Sequence, residues 1–229
     1  MSPLNGLSPM MIREFTYKIE YEVNTLFNDY TVGLKSREDS RAFGAMIEKR
    51  ILDNWETICI NVLADHVKNP GRRTIYDFAC RYNDIFFGFD LKTKDLDTDK
   101  YSDGGVCSIG NLMRFLANDR SIFVVIEFGH HEAPENKSLR ELDYIKVAPF
   151  HLLPANSLRI ENLGTGQVRL NDTIAQVYSE IDWEQTLDDF FDFFVELAIK
   201  HYIRVENNAQ SRIQAMKKFR EDGYNHFSF

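Results

Sequence analysis

The stretch RRTIYDFACRYNDIFFGFDLKTKD, Arg72 to Asp95, decides how this chain is read. It is rich in aromatic and β-branched residues and is broken only by Arg81-Tyr82-Asn83-Asp84, the pattern of a β-hairpin. Side chains alternate faces along a strand, so Asp90 and Lys92 point the same way. A turn centred on Tyr82-Asn83 pairs Arg81 with Asp84, Asp77 with Gly88 and Ile75 with Asp90. In that register Asp77 shares a face with Gly88, Asp90 and Lys92. It lies diagonally from Asp90, about 5–8 Å away at Cβ. Gly88, opposite Asp77, leaves space for a cation and its waters.

Upstream, residues 41–67 carry a helical pattern in which Phe43, Ile47, Ile51, Trp55, Ile58 and Val62 recur every three or four positions. Ser40 or Asp39 is suited to cap its start, and Lys68-Asn69-Pro70-Gly71 to stop it. Glu48 sits beside this apolar stripe, with Gly44 one turn before and Leu52 and Trp55 after, and is expected to face the sheet. Downstream, Asp95 to Gly105 reads as a surface loop. SIFVVIEF, Ser121 to Phe128, reads as a buried central strand. A further strand is expected at Tyr144–Val147 and a hairpin through SLRIENLGTGQVRLN. From Ile181 onward the chain looks helical. The expected fold is α/β, a mixed central sheet flanked by helices.

Two carboxylates side by side on a partly buried sheet repel each other and raise each other's pKa unless a cation intervenes. Their hard oxygens suit Mg2+, which takes one or two carboxylates and completes its shell with water and a phosphate. Lys92 beside them is placed to orient an attacking water or to stabilise a crowded phosphate. A glutamate at position 48 turned from bulk water needs a partner, and a hydrated cation is one.

An acid in a strand, a short gap, then Asp-x-Lys closing an apolar strand resembles the PD-(D/E)xK nucleases, among them the type II restriction endonucleases. Tyr76-Asp77-Phe78, Asp90-Leu91-Lys92-Thr93, the downstream Gly104-Gly105-Val106-Cys107-Ser108-Ile109 and Glu48 in AFGAMIEKRI carry the resemblance, over roughly residues 41–128. Tyr76 stands where the family usually has proline. The resemblance implies that Asp77, Asp90 and the Leu91 carbonyl hold the metal, with Glu48 an accessory acid at the same centre. Lys92 would be the catalytic lysine. It implies hydrolysis of a double-stranded DNA phosphodiester to leave a 5′-phosphate, and a homodimer. On that reading residues 1–229 form one endonuclease domain, with a catalytic core at about 41–128. Residues 129–229 would serve recognition or dimerisation.

Other features weigh less. Asp84 rivals Asp77 but falls in the turn. His130-His131-Glu132 lacks helical metal-ligand spacing and reads as a loop. Gly164-Thr165-Gly166-Gln167 lacks the lysine of a phosphate loop and reads as a tight turn. In a DNA enzyme Asn162, Gln167 and Arg169 are candidates for base edges. The basic tail between Lys200 and Arg220, with Lys217 and Lys218, and Arg72-Arg73 are candidates for phosphates. The cluster around Phe190 reads as core or dimer face. A net charge of -8 argues against non-specific coating of nucleic acid. No apolar run is long enough to cross a bilayer, and the three cysteines read as reduced packing residues, so the cytoplasm is the expected compartment. Two other readings compete: a repair or junction-resolving nuclease on the same core, and a non-catalytic DNA- or partner-binding protein that keeps the fold.

Overall fold

The computed structural model describes residues 8–28, 32–33, 40–68, 74–98, 105–117, 120–161 and 166–223. Along them run α1 (Pro9–Leu26), β1 (Val32–Gly33), α2 (Ser40–Asn61), β2 (Asp65–Val67), β3 (Phe78–Tyr82), β4 (Ile85–Asp95) and β5 (Cys107–Ser108). Then follow α3 (Ile109–Leu116), β6 (Ser121–Ala133), β7 (Asn136–Pro149), β8 (Leu158–Glu161), β9 (Gln167–Leu170), α4 (Ile174–Val177) and α5 (Leu187–Glu221). The fold is α/β. A six-stranded mixed sheet has the order β1-β7-β6-β4-β3-β2, and a smaller one has the order β5-β9-β8.

β3 and β4 form the expected hairpin with a corrected register. Tyr82 pairs with Ile85 and Ala79 with Gly88. The turn is Asn83-Asp84, both in the left-handed region (φ 49° and 63°). A two-residue turn needs φ above zero at both positions, and Asn and Asp tolerate it best after glycine. The ladder stops at Phe78–Phe89; Asp77, just before it, donates its N–H to the Phe89 carbonyl, and its charge reaches Asp90. The slip changes each pairing sum by two, so every side chain keeps its face. Gly88 does not make room for an ion: a Cβ there would meet Phe115 Cζ at 2.8 Å and Tyr76 Cδ1 at 3.0 Å.

β4 runs parallel to β6, from Phe86–Ser121 to Asp95–His130, and every other pairing in the large sheet is antiparallel. The odd positions of β4 face α1 and α2: Phe15 meets Phe87 at a tilt, and Trp55 meets Phe89. The Trp55 indole N–H donates to the Ala79 carbonyl at 2.8 Å, tying α2 to β3. The even positions face the other layer, where Phe115 of α3 meets Phe86 and Phe123. Phe190 of α5 reaches the same layer through Phe150. Phe190 and Phe194 are core residues, as the sequence suggested.

Several boundaries move. α2 ends at Asn61, not Val67: Leu63 turns left-handed (φ 61°), and Asp65–Val67 pairs with β3. β6 continues through His130, His131 and Glu132, so these are strand residues, not a loop. The strand expected at Tyr144–Val147 is the middle of the 14-residue β7. α5 begins at Leu187, where Thr186 and Asp189 form a capping box. The expected hairpin after Ser157 is β8–β9. α1 and α3 have no counterpart among the expected elements. The caps expected from Asp39 and Ser40, the stop at Asn69-Pro70-Gly71, and Arg72-Arg73 lie outside the described residues or side chains. Among the described residues no helix is long and apolar enough to cross a membrane.

Candidate functional site

Asp90 and Lys92 sit on the even face of β4, in the layer between the large sheet and α3. Asp90 is 6% exposed, and its Oδ2 lies 2.7 Å from Lys92 Nζ. Lys92 is the one group that meets Oδ2 among the described residues; no other hydrogen bond reaches it. Burial pushes the Asp90 carboxyl up to about 7; Lys92 pulls it down, and Asp77 and Glu48 push it up. A carboxylate in this state is costly without more positive charge nearby.

Asp77 ends the ladder between β3 and β4. Its N–H donates to the Phe89 carbonyl at 2.7 Å, and its Oδ2 accepts the Leu91 N–H at 2.8 Å. The carboxylate is thus locked onto the strand that carries Asp90 and Lys92. Glu48 is exposed on α2, not shielded from bulk water as expected. It still senses the pair. Partial burial first, then the Asp77 charge, raises its carboxyl, against the pull of Lys92. Asp77, Asp90, Lys92 and Glu48 therefore share one electrostatic neighbourhood.

Among the described residues no three His, Cys, Asp or Glu side chains converge as a metal cage. Glu48 does not close on the pair as a third ligand. Two carboxylates within each other's field, one with a buried oxygen that only Lys92 meets, still fit Mg2+, which asks the protein for only one or two carboxylates.

The rival residues fall away. Asp84 is 92% exposed in the turn, 4.0 Å from Arg120. His130 is buried against Phe43, ring centroids 4.1 Å apart, while His131 pairs with Glu141 and Glu132 with Arg140. Gly166 has the left-handed φ of a tight turn (63°).

Sequence reasoning did not place Cys107 beside the pair. Cys107 of β5 lies within the field of Asp90 and Lys92; burial, then the Asp90 charge, pushes its thiol up to about 12. β5 pairs with β9, Cys107 opposite Val168 and Ser108 opposite Gln167. The Gln167 side chain covers Gly105 so closely that any Cβ there would collide with it. Arg169 Nη2 donates to Gln167 Oε1 at 3.2 Å. Lys94 faces the same way as Lys92. There it lines a cleft of about 550 Å³ with Tyr144, Asn171, Thr173 and Gln176. Buried Glu127, which pairs with Lys92 across β4–β6, accepts the Tyr144 hydroxyl and the Ile174 N–H.

No protein-family model matches this sequence, and no curated protein matches it as a relative. Gln167 and Arg169 share one face of β9, where Arg169 also pairs with Glu161. Asn162 lies outside the described residues. Lys217 and Lys218 are exposed near the end of α5, about 24 Å of helix beyond His201, its last buried side chain.

Proposed function

We propose that this chain is a Mg2+-dependent, sequence-specific endonuclease of double-stranded DNA, of the type II restriction kind, acting as a homodimer. The observation that carries the reading is the Asp90 carboxylate: buried, within the field of Asp77 and held by Lys92 alone.

Asp77 and Asp90, with the Leu91 carbonyl, would hold the cation. When bound, it would supply polarisation of the scissile phosphate and offset the two carboxylates. Lys92 would hold the attacking water by its oxygen and stabilise the negative charge that gathers on phosphorus-bound oxygen. The water oxygen bonds to phosphorus as the bond to the 3′-oxygen breaks. The water's proton leaves to solvent or to Glu48, and the 3′-oxygen takes a proton. The products are a 5′-phosphate and a 3′-hydroxyl. Gln167 and Arg169 would face base edges, where their amide and guanidinium groups suit adenine and guanine.

The test is purified protein incubated with unmethylated phage DNA in Mg2+ or in EDTA, then resolved on a gel. Sharp bands that need Mg2+, absent with Lys92→Ala although that variant still binds DNA, support the reading. Cleavage confined to branched or damaged DNA makes it a repair or junction-resolving nuclease. Uncut DNA across salt and metal conditions, or unchanged cutting by Lys92→Ala, overturns the proposal.

A further inference from the structure

The cleft that Lys94 lines takes no part in cleavage. At about 550 Å³ it falls within the range of pockets that enclose a small organic group. Lys94 stands two residues beyond Lys92 on the same face of β4, so the cleft begins about 7 Å along the strand from the cleavage centre.

One wall of the cleft is rigid. Lys94 pairs with Gly129, and Gly129 with Tyr144, a row across three strands on one face of the sheet. A Cβ at Gly129 would collide with the Tyr144 ring, so the ring lies over the glycine. The Tyr144 hydroxyl donates to buried Glu127 at 2.9 Å. Packed on Gly129 and tied at its hydroxyl, Tyr144 is a fixed aromatic surface.

The rest of the lining selects the occupant. Leu96, Leu170 and Ala175 add apolar surface against which a flat ring can pack. Asp143 and Asp172 stand in the same lining and repel an anion, which disfavours a phosphate, while Lys94 repels a cation. The capping box of α4 engages Gln176 Oε1 with Thr173 and leaves the Gln176 amide nitrogen as a donor. The two carboxylates are acceptors. A neutral, planar group with donors and acceptors on its edge fits this lining. That is the chemistry of a nucleobase and, because carboxylates accept from amines, of one with an exocyclic amine. We propose that the cleft receives one base turned out of the DNA stack beside the cut phosphodiester. The proposal rests on the nuclease reading and adds to it a base that is unpaired before the cut.

The test puts 2-aminopurine, which fluoresces when it leaves the stack, at each position in turn around the mapped cut in a duplex. Lys92→Ala holds that duplex uncut in Mg2+. Fluorescence should rise several-fold at one position beside the cut. Adding Ala175→Trp, which fills the cleft, should abolish the rise, and in the otherwise wild-type chain it should slow cutting several-fold with unchanged circular dichroism. Asp143→Ala, at an exposed position, should weaken the rise without touching the core. Tyr144→Phe keeps the ring and should keep the rise. Silence at every position in a protein that cuts overturns this proposal and leaves the nuclease reading standing. A rise untouched by Ala175→Trp and Asp143→Ala places the base elsewhere and overturns it too. Free nucleosides that raise the unfolding temperature, beside a silent duplex, give the cleft to a free nucleotide and also overturn it. DNA left both unbound and uncut overturns this proposal and the nuclease reading together.

Discussion

The Asp77 carboxylate accepts the backbone N–H of Leu91 at 2.8 Å, so the first acid of the site is fastened to the strand that bears the second. Asp77→Asn keeps an oxygen for that N–H and should leave stability within about 0.5 kcal/mol. Asp77→Ala strands the N–H and should cost about 1–2 kcal/mol. Both should lose cleavage, and denaturant unfolding beside the cleavage assay separates the two effects. Equal stability of the two variants would mean that the hydrogen bond positions nothing.

Binding of Mg2+ to the native state should raise the unfolding temperature. At ten times Kd the gain is about 1.4 kcal/mol. Asp90→Asn should abolish that gain, read by thermal unfolding with and without Mg2+ and with no substrate present. An undiminished shift in Asp90→Asn would place the cation elsewhere.

Glu127 should make the fold less stable as pH rises. Burial pushes its carboxyl up to about 7, against the hydrogen bonds from Tyr144, Ile174 and Ala175 and the nearby Lys94. A raised native pKa means that the folded state keeps a proton that the unfolded chain releases. The stabilisation is therefore full below the unfolded value near 4.5, falls through the window up to about 7, and is gone above it. The fall is on the order of 3 kcal/mol at most. Asp90 adds a slope of the same sign. Urea midpoints from pH 4.5 to 8 should flatten in Glu127→Gln but not vanish; an unchanged profile would clear Glu127 of the effect.

His130 is buried, and among the described residues neither ring nitrogen has a hydrogen-bond partner. Burial lowers its pKa to about 4, so it is neutral in ordinary buffers. His130→Leu should stabilise the fold by about 1 kcal/mol and leave cleavage unchanged. A loss of cleavage without a loss of stability would restore His130 to the functional site.

The hairpin was legible because composition and alternation alone put Asp90 and Lys92 on one face. Its register was not, since Tyr82, Asn83 and Asp84 are all polar enough to turn. Only the left-handed angles of Asn83 and Asp84 place the bend. The apolar run to Phe128 showed the centre of β6 but not its end. His130 to Glu132 remain in the sheet because Arg140, itself buried, spans Asp95, Asp97 and Glu132 from the neighbouring strand. Cys107, within the field of Asp90, is held by one pairing, Cys107 with Val168, that bridges distant parts of the chain. Nothing local in either segment encodes that closure. The exposure of Glu48 was missed because a position beside an apolar stripe leaves its solvent contact to the width of the layer above.

The two-residue bend at Asn83-Asp84 has a kinetic consequence. A hairpin this tight closes in about 1–10 μs, so the two carboxylates meet early in folding. The parallel pairing of β4 with β6 waits for the crossover between Asp95 and Ser121, and the docking of β5 onto β9 waits longer still, because loop closure must precede the contacts that reward it. During refolding the acids should stand together in open water, repelling each other, before anything covers them. Cutting competence should return in the slowest phase, after the ellipticity of the large sheet has recovered.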